Sequence, residues 1–102
     1  MASYEALGLV ETFGLVFALE AADAMCKASN VELEGYANVA SGYITVLVRG
    51  DVGACTAAVD AGVAAVEAME DANVYSSIVI ARPHQDIDKI IKRYELSSLV
   101  AE

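Results

Sequence analysis

The chain has 102 residues, a length typical of one domain. Apolar residues make up 57% of it and mean hydropathy is +0.48, which excludes disorder, while charges and turns interrupt every apolar run well short of the roughly 18 residues of a membrane span. A formal net charge of −9 disfavours nucleic acid and anionic lipid as partners. We therefore expect the apolar excess to be buried in a dense core and in contacts between copies.

The first quarter of the chain predicts a strand followed by a helix. Residues 5–11 form a short apolar run bounded by charges, and Gly8 within it predicts close approach by another part of the backbone. Thr12 is positioned to cap a helix over residues 13–28. The alanines of this helix permit close packing on a sheet or a neighbouring chain, and its apolar face is predicted to consist of Leu15, Leu19, Ala22 and Cys26.

The middle of the chain predicts two paired strands and a second helix. Residues 31–36 alternate apolar and polar, residues 43–49 are the most β-prone run, and the short link between them indicates an antiparallel pair. Asp51 is expected to cap a helix that runs to about Met69. Acidic residues crowd its C-terminal end, where the helix dipole disfavours anions, so we expect them to be solvated.

The last part of the chain predicts a fourth strand over residues 74–80, which Pro83 stops, and a helical tail that begins near Asp86. The predicted order is therefore β-α-β-β-α-β with a C-terminal helix, an α+β fold with a four-stranded antiparallel sheet and its helices on one face. We expect one domain over residues 1–102, with a core at about 4–88 and a tail at 86–102. The other sheet face is expected to lack a helix, and partner chains to cover part of it.

No catalytic, metal or cofactor site is predicted. The single histidine, His84, follows a proline at a strand end and is expected to be a hydrogen-bonded structural residue. Two separate cysteines, Cys26 and Cys55, form neither a metal motif nor a disulfide framework, and we expect both to be buried thiols in a reducing compartment. The N-terminus has no secretory pattern, which predicts a cytoplasmic protein.

Four ordered segments carry a resemblance to a known family. Residues 6–12 (ALGLVET), 20–27 (EAADAMCK), 48–54 (VRGDVGA) and 81–84 (ARPH) resemble the hexamer-forming shell proteins of bacterial microcompartments, over about residues 4–88. The sequence looks closest to the single-domain shell proteins of catabolic compartments, such as those for propanediol, ethanolamine or choline. Carboxysome shell proteins are expected to be more distant.

The resemblance implies a flat cyclic hexamer that tiles with neighbouring hexamers and other shell proteins around enzymes. A pore on its six-fold axis is expected to pass small polar metabolites. The family's Gly-Ser-Gly pore loop corresponds here to Ala40, Ser41 and Gly42. Lys27 matches the family's edge lysine, Arg82 matches the arginine that reaches across the same seam, and the residues expected near them are Asn30 and His84.

Two other classes stay open at this point. A small-molecule-binding regulatory module is one, because ferredoxin-like sensor domains share this order of elements. A small enzyme is the other, and it would need a cleft that holds acids of perturbed pKa. Hexagonal sheets of the purified protein would separate the shell interpretation from both.

Overall fold

The computed structural model describes residues 5–38, 41–71 and 74–94. The elements follow the predicted order: β1 (Ala6–Phe13), α1 (Leu15–Ala28), β2 (Glu32–Asn38), β3 (Tyr43–Gly50), α2 (Val52–Glu67) and β4 (Val74–Ile80). A C-terminal segment, residues 85–94, follows as a 3₁₀ turn (Gln85–Ile87), a short helix α3 (Asp88–Ile91) and a second 3₁₀ turn (Lys92–Tyr94). The rest of the predicted tail lies outside the described residues.

The four strands form one antiparallel sheet in the order β2-β3-β1-β4, the ferredoxin-like arrangement that the element order predicts. The longest ladder joins β1 to β3, from Ala6 opposite Gly50 to Phe13 opposite Tyr43. Because side chains alternate along a strand, even-numbered residues of β1 and β3 face one side of the sheet and odd-numbered residues face the other.

The start of α1 differs from the prediction. Thr12 is the fully buried penultimate residue of β1, and Gly14 occupies the N-cap position without a side-chain bond. The Thr12 hydroxyl lies 3.3 Å from the carbonyl oxygen of Gly14 and 3.4 Å from that of Ile44. Its capping role is therefore wrong, because β1 continues along β3 as far as Phe13. At the second helix Asp51 does hold the N-cap position, again without a side-chain cap bond.

Helices α1 and α2 cover the even-numbered face, which we call the helical face. At Gly8 the closest approach is by side chains rather than by the predicted backbone: an added Cβ would lie 3.0 Å from methyls of Val48 and Val59, and 3.5 Å from the carbonyl oxygen of Cys55. Larger residues at position 8 would push α2 off the sheet. The buried cluster on this face consists of Val10, Ala18, Ala21, Met25, Ile44, Val46, Val48, Ala58, Val59 and Val66.

The apolar stripe predicted for α1 is not its packed side. The residues that α1 buries are Ala18, Ala21 and Met25, whereas Leu15 and Leu19 are 56% and 61% exposed. The two helices approach so closely that a Cβ at position 62 would lie 2.6 Å from Cγ of Met25. Small side chains and one flexible methionine fit that spacing, so the larger leucines turn outward.

The C-terminal segment covers part of the odd-numbered face, the open face of the sheet. Ile87 and Ile91 pack there against Leu7 and Leu47, with Leu9 and Ile80 at the margin. The expectation that this face lacks a helix is therefore wrong. Burial of an isoleucine side chain stabilises a fold by about 1.5–3 kcal/mol, which explains why a short helical segment docks there.

The two cysteines differ from each other. Cys55 is fully buried, as predicted, and burial against the β1–α2 contact raises the pKa of its thiol. Cys26 is exposed, because the orientation of α1 places Met25 in the core instead. The prediction of two buried thiols is therefore wrong for Cys26.

Candidate functional site

The predicted pore-lining residues lie at one end of the sheet. Ser41 and Gly42 lead into β3, whose first residue, Tyr43, pairs with Phe13 at the end of β1. Both turn residues are exposed and have positive φ angles, 59° and 86°. Ala40, which was predicted with them, lies outside the described residues. A left-handed backbone is costly for serine, so contacts around the turn have to hold it.

The backbone of the β1–α1 junction supplies one such contact. The N–H of Gly14 donates a hydrogen bond of 2.8 Å to the carbonyl oxygen of Gly42. This bond continues the β1–β3 ladder one step past Phe13 and Tyr43. The Ser41–Gly42 turn is thus fastened to the end of β1.

Lys27 lies in the last turn of α1, towards the opposite end of the sheet. Its side chain is 75% exposed, and Nζ lies 2.8 Å from Oδ2 of Asp23, one helical turn earlier. The hydrogen bond to Asp23 is the main reason that the pKa of Lys27 is raised, with the charges of Asp23 and Glu20 acting the same way. Lys27 therefore presents a positive charge at the surface.

Asn30 is also exposed and stands at the same end, between α1 and β2. Its carbonyl oxygen would lie 3.2 Å from a Cβ at position 50, so the backbone here packs against the end of β3. The hydroxyl of Ser29 donates a 2.6 Å bond to the carbonyl oxygen of Ala54 and ties this corner to the first turn of α2. Lys27 and Asn30 therefore lie on a corner of the chain that the Ser29–Ala54 hydrogen bond joins to α2.

Arg82 and His84 follow β4, and both are exposed. Nδ1 of His84 accepts a 3.0 Å bond from the N–H of Asp86 and caps the first turn of the C-terminal segment, which confirms the predicted structural role. Since β2 and β4 are the two outer strands, the four predicted edge residues form two groups at one end of the sheet. One chain alone does not bring them together.

Two concave surfaces lie on different sides of the chain. On the helical side, Leu15 and Leu19 line a groove of about 260 Å³ between α1 and the neighbouring strands, together with Leu33, Tyr36 and Ile44. We call it the α1 groove. Val16 beside it is 68% exposed. The sequence indicated apolar residues on α1 but not that they remain uncovered.

The second surface is a cleft of about 390 Å³ on the open face, where the C-terminal segment does not reach. It is lined by Leu9, Glu11, Thr45, Ser76, Ser77 and Ile78. We call it the open-face cleft. The carboxylate of Glu11 accepts a 2.7 Å bond from the hydroxyl of Thr45 and a 3.2 Å bond from that of Ser76. The carboxylate is thus satisfied by neutral donors, a structural arrangement across three strands.

Reactive groups are sparse in the part of the chain that the structure describes. Across residues 5–38, 41–71 and 74–94, no three His, Cys, Asp or Glu side chains gather where they could hold a metal ion. The described helices also include none that is long and apolar enough to cross a membrane. The described surface offers apolar area, hydroxyls, exposed carboxylates and a few exposed cations.

The chain is similar in sequence to known proteins. Residues 6–83 match the BMC domain family. The chain is 56% identical over 89 residues to "Bacterial microcompartment shell protein PduA" of Citrobacter freundii, an alignment that covers 87% of this chain and 94% of that protein. It is 49% identical over 86 residues to "Bacterial microcompartment shell protein EutM" of Salmonella typhimurium, covering 84% and 88%.

A carboxysome protein is as similar as these two. "Carboxysome shell protein CsoS1" of Prochlorococcus marinus is 55% identical over 83 residues, covering 81% of this chain and 80% of that one. The expectation that carboxysome proteins are more distant is therefore wrong, since 55% lies between 49% and 56%.

A solved structure has the same fold. A microcompartment protein of Desulfitobacterium hafniense superimposes with a TM-score of 0.76 at 32% identity. The match covers 89% of this chain and 48% of that one, so this chain spans about half the length of that protein.

Proposed function

The chain belongs to the BMC domain family, and we propose that it is a structural tile in the shell of a cytoplasmic bacterial microcompartment rather than an enzyme. The observation that carries this proposal is 56% identity across nearly the whole length of a protein named as a shell protein. The regulatory-module alternative shares only the ferredoxin-like strand order, and the relatives do not favour it.

Ring formation is the first part of the proposal. The α1 groove and the open-face cleft are different in composition and lie on different sides of the chain. A contact between two unlike surfaces is heterologous, and repeated contacts of this kind close into a ring when the rotation per copy permits. We infer that the groove of one copy meets the open-face side of the next, and that six copies close the ring, as the family resemblance implies.

The ends of the sheet then acquire separate roles. The Ser41–Gly42 turn and the corner that holds Lys27 lie at opposite ends of the sheet. If the six Ser41–Gly42 turns meet at the axis of the ring, the six Lys27 corners face outward. Ser41 would line a narrow pore with hydroxyls or amides, which suit small polar metabolites. Lys27, Asn30, Arg82 and His84 would form the outer edge against the neighbouring ring.

Mass and electron microscopy test ring formation directly. We expect purified protein to form particles of six chains and hexagonal sheets or tubes, whereas a lone particle of 10.7 kDa would contradict the proposal. Leu19→Glu places a charge in the α1 groove and should leave a folded chain that does not form rings. Glu20→Gln, at an adjacent exposed position of α1, is the matched control and should assemble normally.

Flux through closed shells tests the pore. Because residue 41 has a φ of 59°, Asn is a better enlarging substitution than Leu, since asparagine tolerates the left-handed region. Ser41→Asn should reduce metabolite flux into shells that still close, and Ser41→Gly, which removes the hydroxyl and keeps the turn, should not narrow the opening. Equal flux in all three would show that Ser41 does not line the route.

A further inference from the structure

The side chain of Phe13 lies beside the Ser41–Gly42 turn. Its ring atoms Cε2 and Cζ lie 3.5 Å from the point where a Cβ of residue 42 would stand. The same ring meets that of Tyr43 edge to face, with centroids 5.1 Å apart and planes at 77°. One side chain therefore packs against Tyr43 and lies on the side of Gly42 where a Cβ would stand.

Burial within one chain does not explain where this ring lies. Phe13 is 51% exposed, and it belongs to the open face, at the end that the C-terminal segment does not cover. The ring lies beside the Gly42 backbone, next to the 2.8 Å bond that Gly14 donates to the Gly42 carbonyl oxygen. Gly42 is thus held by a backbone bond, with a rigid aromatic surface on the side where its Cβ would be.

We propose that Phe13 is a positioning residue for the pore and sets its size selectivity through Gly42. This inference rests on the proposed function, in which Ser41 lines the pore. Gly42 is bonded directly to Ser41, so a displacement of Gly42 carries Ser41 with it. In a ring of copies around one axis, an outward shift of each Ser41 widens the opening by twice that shift. Pore diameter then depends on a residue that does not line the pore.

In this proposal, the edge-to-face packing on Tyr43 keeps the Phe13 ring in a fixed orientation beside Gly42. Rings packed in this geometry are held by both dispersion and their quadrupoles, which orients them more strictly than aliphatic contacts do. A leucine at position 13 would keep an apolar side chain but lose the flat surface beside Gly42. A tyrosine would keep the ring.

The test compares two solutes of unequal size and equal charge. Closed shells made from the full chain with other shell proteins are loaded with an indicator of solute entry, and entry rates of glycerol and sorbitol are measured. With Phe13→Leu we expect sorbitol entry to rise relative to glycerol several-fold, while Phe13→Tyr keeps the wild-type ratio. A role of Phe13 in stability alone would change the yield of shells but not this ratio.

The variants distinguish the assignment of Ser41 to the pore from the positioning role of Phe13. If Ser41→Asn leaves both entry rates at their wild-type values, the pore assignment itself is wrong. If Ser41→Asn slows entry but Phe13→Leu keeps the wild-type ratio, Phe13 does not position the turn. Should Phe13→Leu fail to form rings, Phe13→Met is measured in its place, and an unchanged ratio there overturns the inference equally.

Discussion

Nη2 of Arg49 lies 2.8 Å from Oδ1 of Asp88, a residue 39 positions later in the chain. Arg49 is 4% exposed, and its Nε lies 2.9 Å from Oε1 of Glu34 on β2. A guanidinium buried in the open face of β3 therefore joins an outer strand to the C-terminal segment. Two carboxylates compensate the desolvation of a group that would be very costly if buried alone.

Asp88→Asn should loosen the C-terminal segment. The substitution keeps the shape of the side chain and removes one of the two carboxylates near Arg49, and hydrogen bonds to charged groups contribute about 1.5–3 kcal/mol. We expect a loss of that order in urea unfolding at fixed protein concentration, with faster amide exchange around Ile91. Asp86→Asn is the control, because Asp86 is 61% exposed and its ion pairs are at the surface. A control variant as destabilised as Asp88→Asn would contradict this assignment.

Lys27→Ala should abolish sheet assembly while rings persist. The side chain is 75% exposed and its contact within the chain is a surface ion pair with Asp23, so its removal should not change the folding of one copy. Mass measurement in solution should still give rings, and electron microscopy should show no sheets. Lys89→Ala removes an equally exposed lysine that also pairs with an aspartate, and it should leave sheets intact. If Lys27→Ala instead gave monomers, Lys27 would belong to the contact between copies within a ring and not to its outer edge.

The strands were predictable because their signals are local. Alternation and β-branched residues identified β2, β3 and β4 to within two residues of their ends. The docking of the C-terminal segment on the open face was not predictable from local signals. It depends on the contact of Arg49 with Asp88, 39 residues apart, and on which isoleucines then face the sheet. The orientation of α1 was missed for a similar reason, because the close contact at Gly62 selects small residues over the larger leucines.

The candidate site shows the same division. The resemblance identified Ser41, Gly42 and Lys27 from short motifs, and their roles stay predictions. The position of Phe13 beside Gly42 follows from the β1–β3 register, which pairs Phe13 with Tyr43 across 30 positions. A prediction of the strand register from the alternation of β1 and β3 could have placed it beside the turn.

Asp71→Gly should stabilise the chain. Asp71 has a φ of 62° just beyond α2, a conformation that costs most residues with a Cβ about 1–2 kcal/mol, aspartate less than most, and glycine very little. Its negative charge also lies near the C-terminal end of the helix dipole, where Glu67 and Glu70 are exposed, as the sequence predicted. We expect a gain of about 1 kcal/mol in urea unfolding. Glu70→Gln removes a charge from the same end without changing the backbone, and should give a smaller gain in stability. A larger gain from Glu70→Gln would show that charge, and not backbone conformation, limits stability at this end.

Cys55 should make the stability of the chain sensitive to alkaline pH. Its sulfur is fully buried, with Sγ 3.5 Å from the carbonyl oxygen of Ala6. Burial, and then the charge of Glu5, raise the pKa of this thiol above its ordinary value of 9.0, while Arg49 opposes them. The folded state thus holds the proton more tightly than the unfolded state. This contribution is complete below the unfolded pKa and is lost as the pH rises through the folded one.

Comparison with Cys55→Ala isolates that contribution. At pH 7 the variant should be less stable than the wild type, because it loses a buried sulfur and the contacts around it. As the pH rises from about 8 to about 11, the wild type should lose its advantage, since only the wild type has a thiol at position 55 to ionise on unfolding. Urea midpoints at a series of pH values measure the difference. An advantage that stays constant or grows over this range would mean that the thiol of Cys55 does not titrate with a raised pKa.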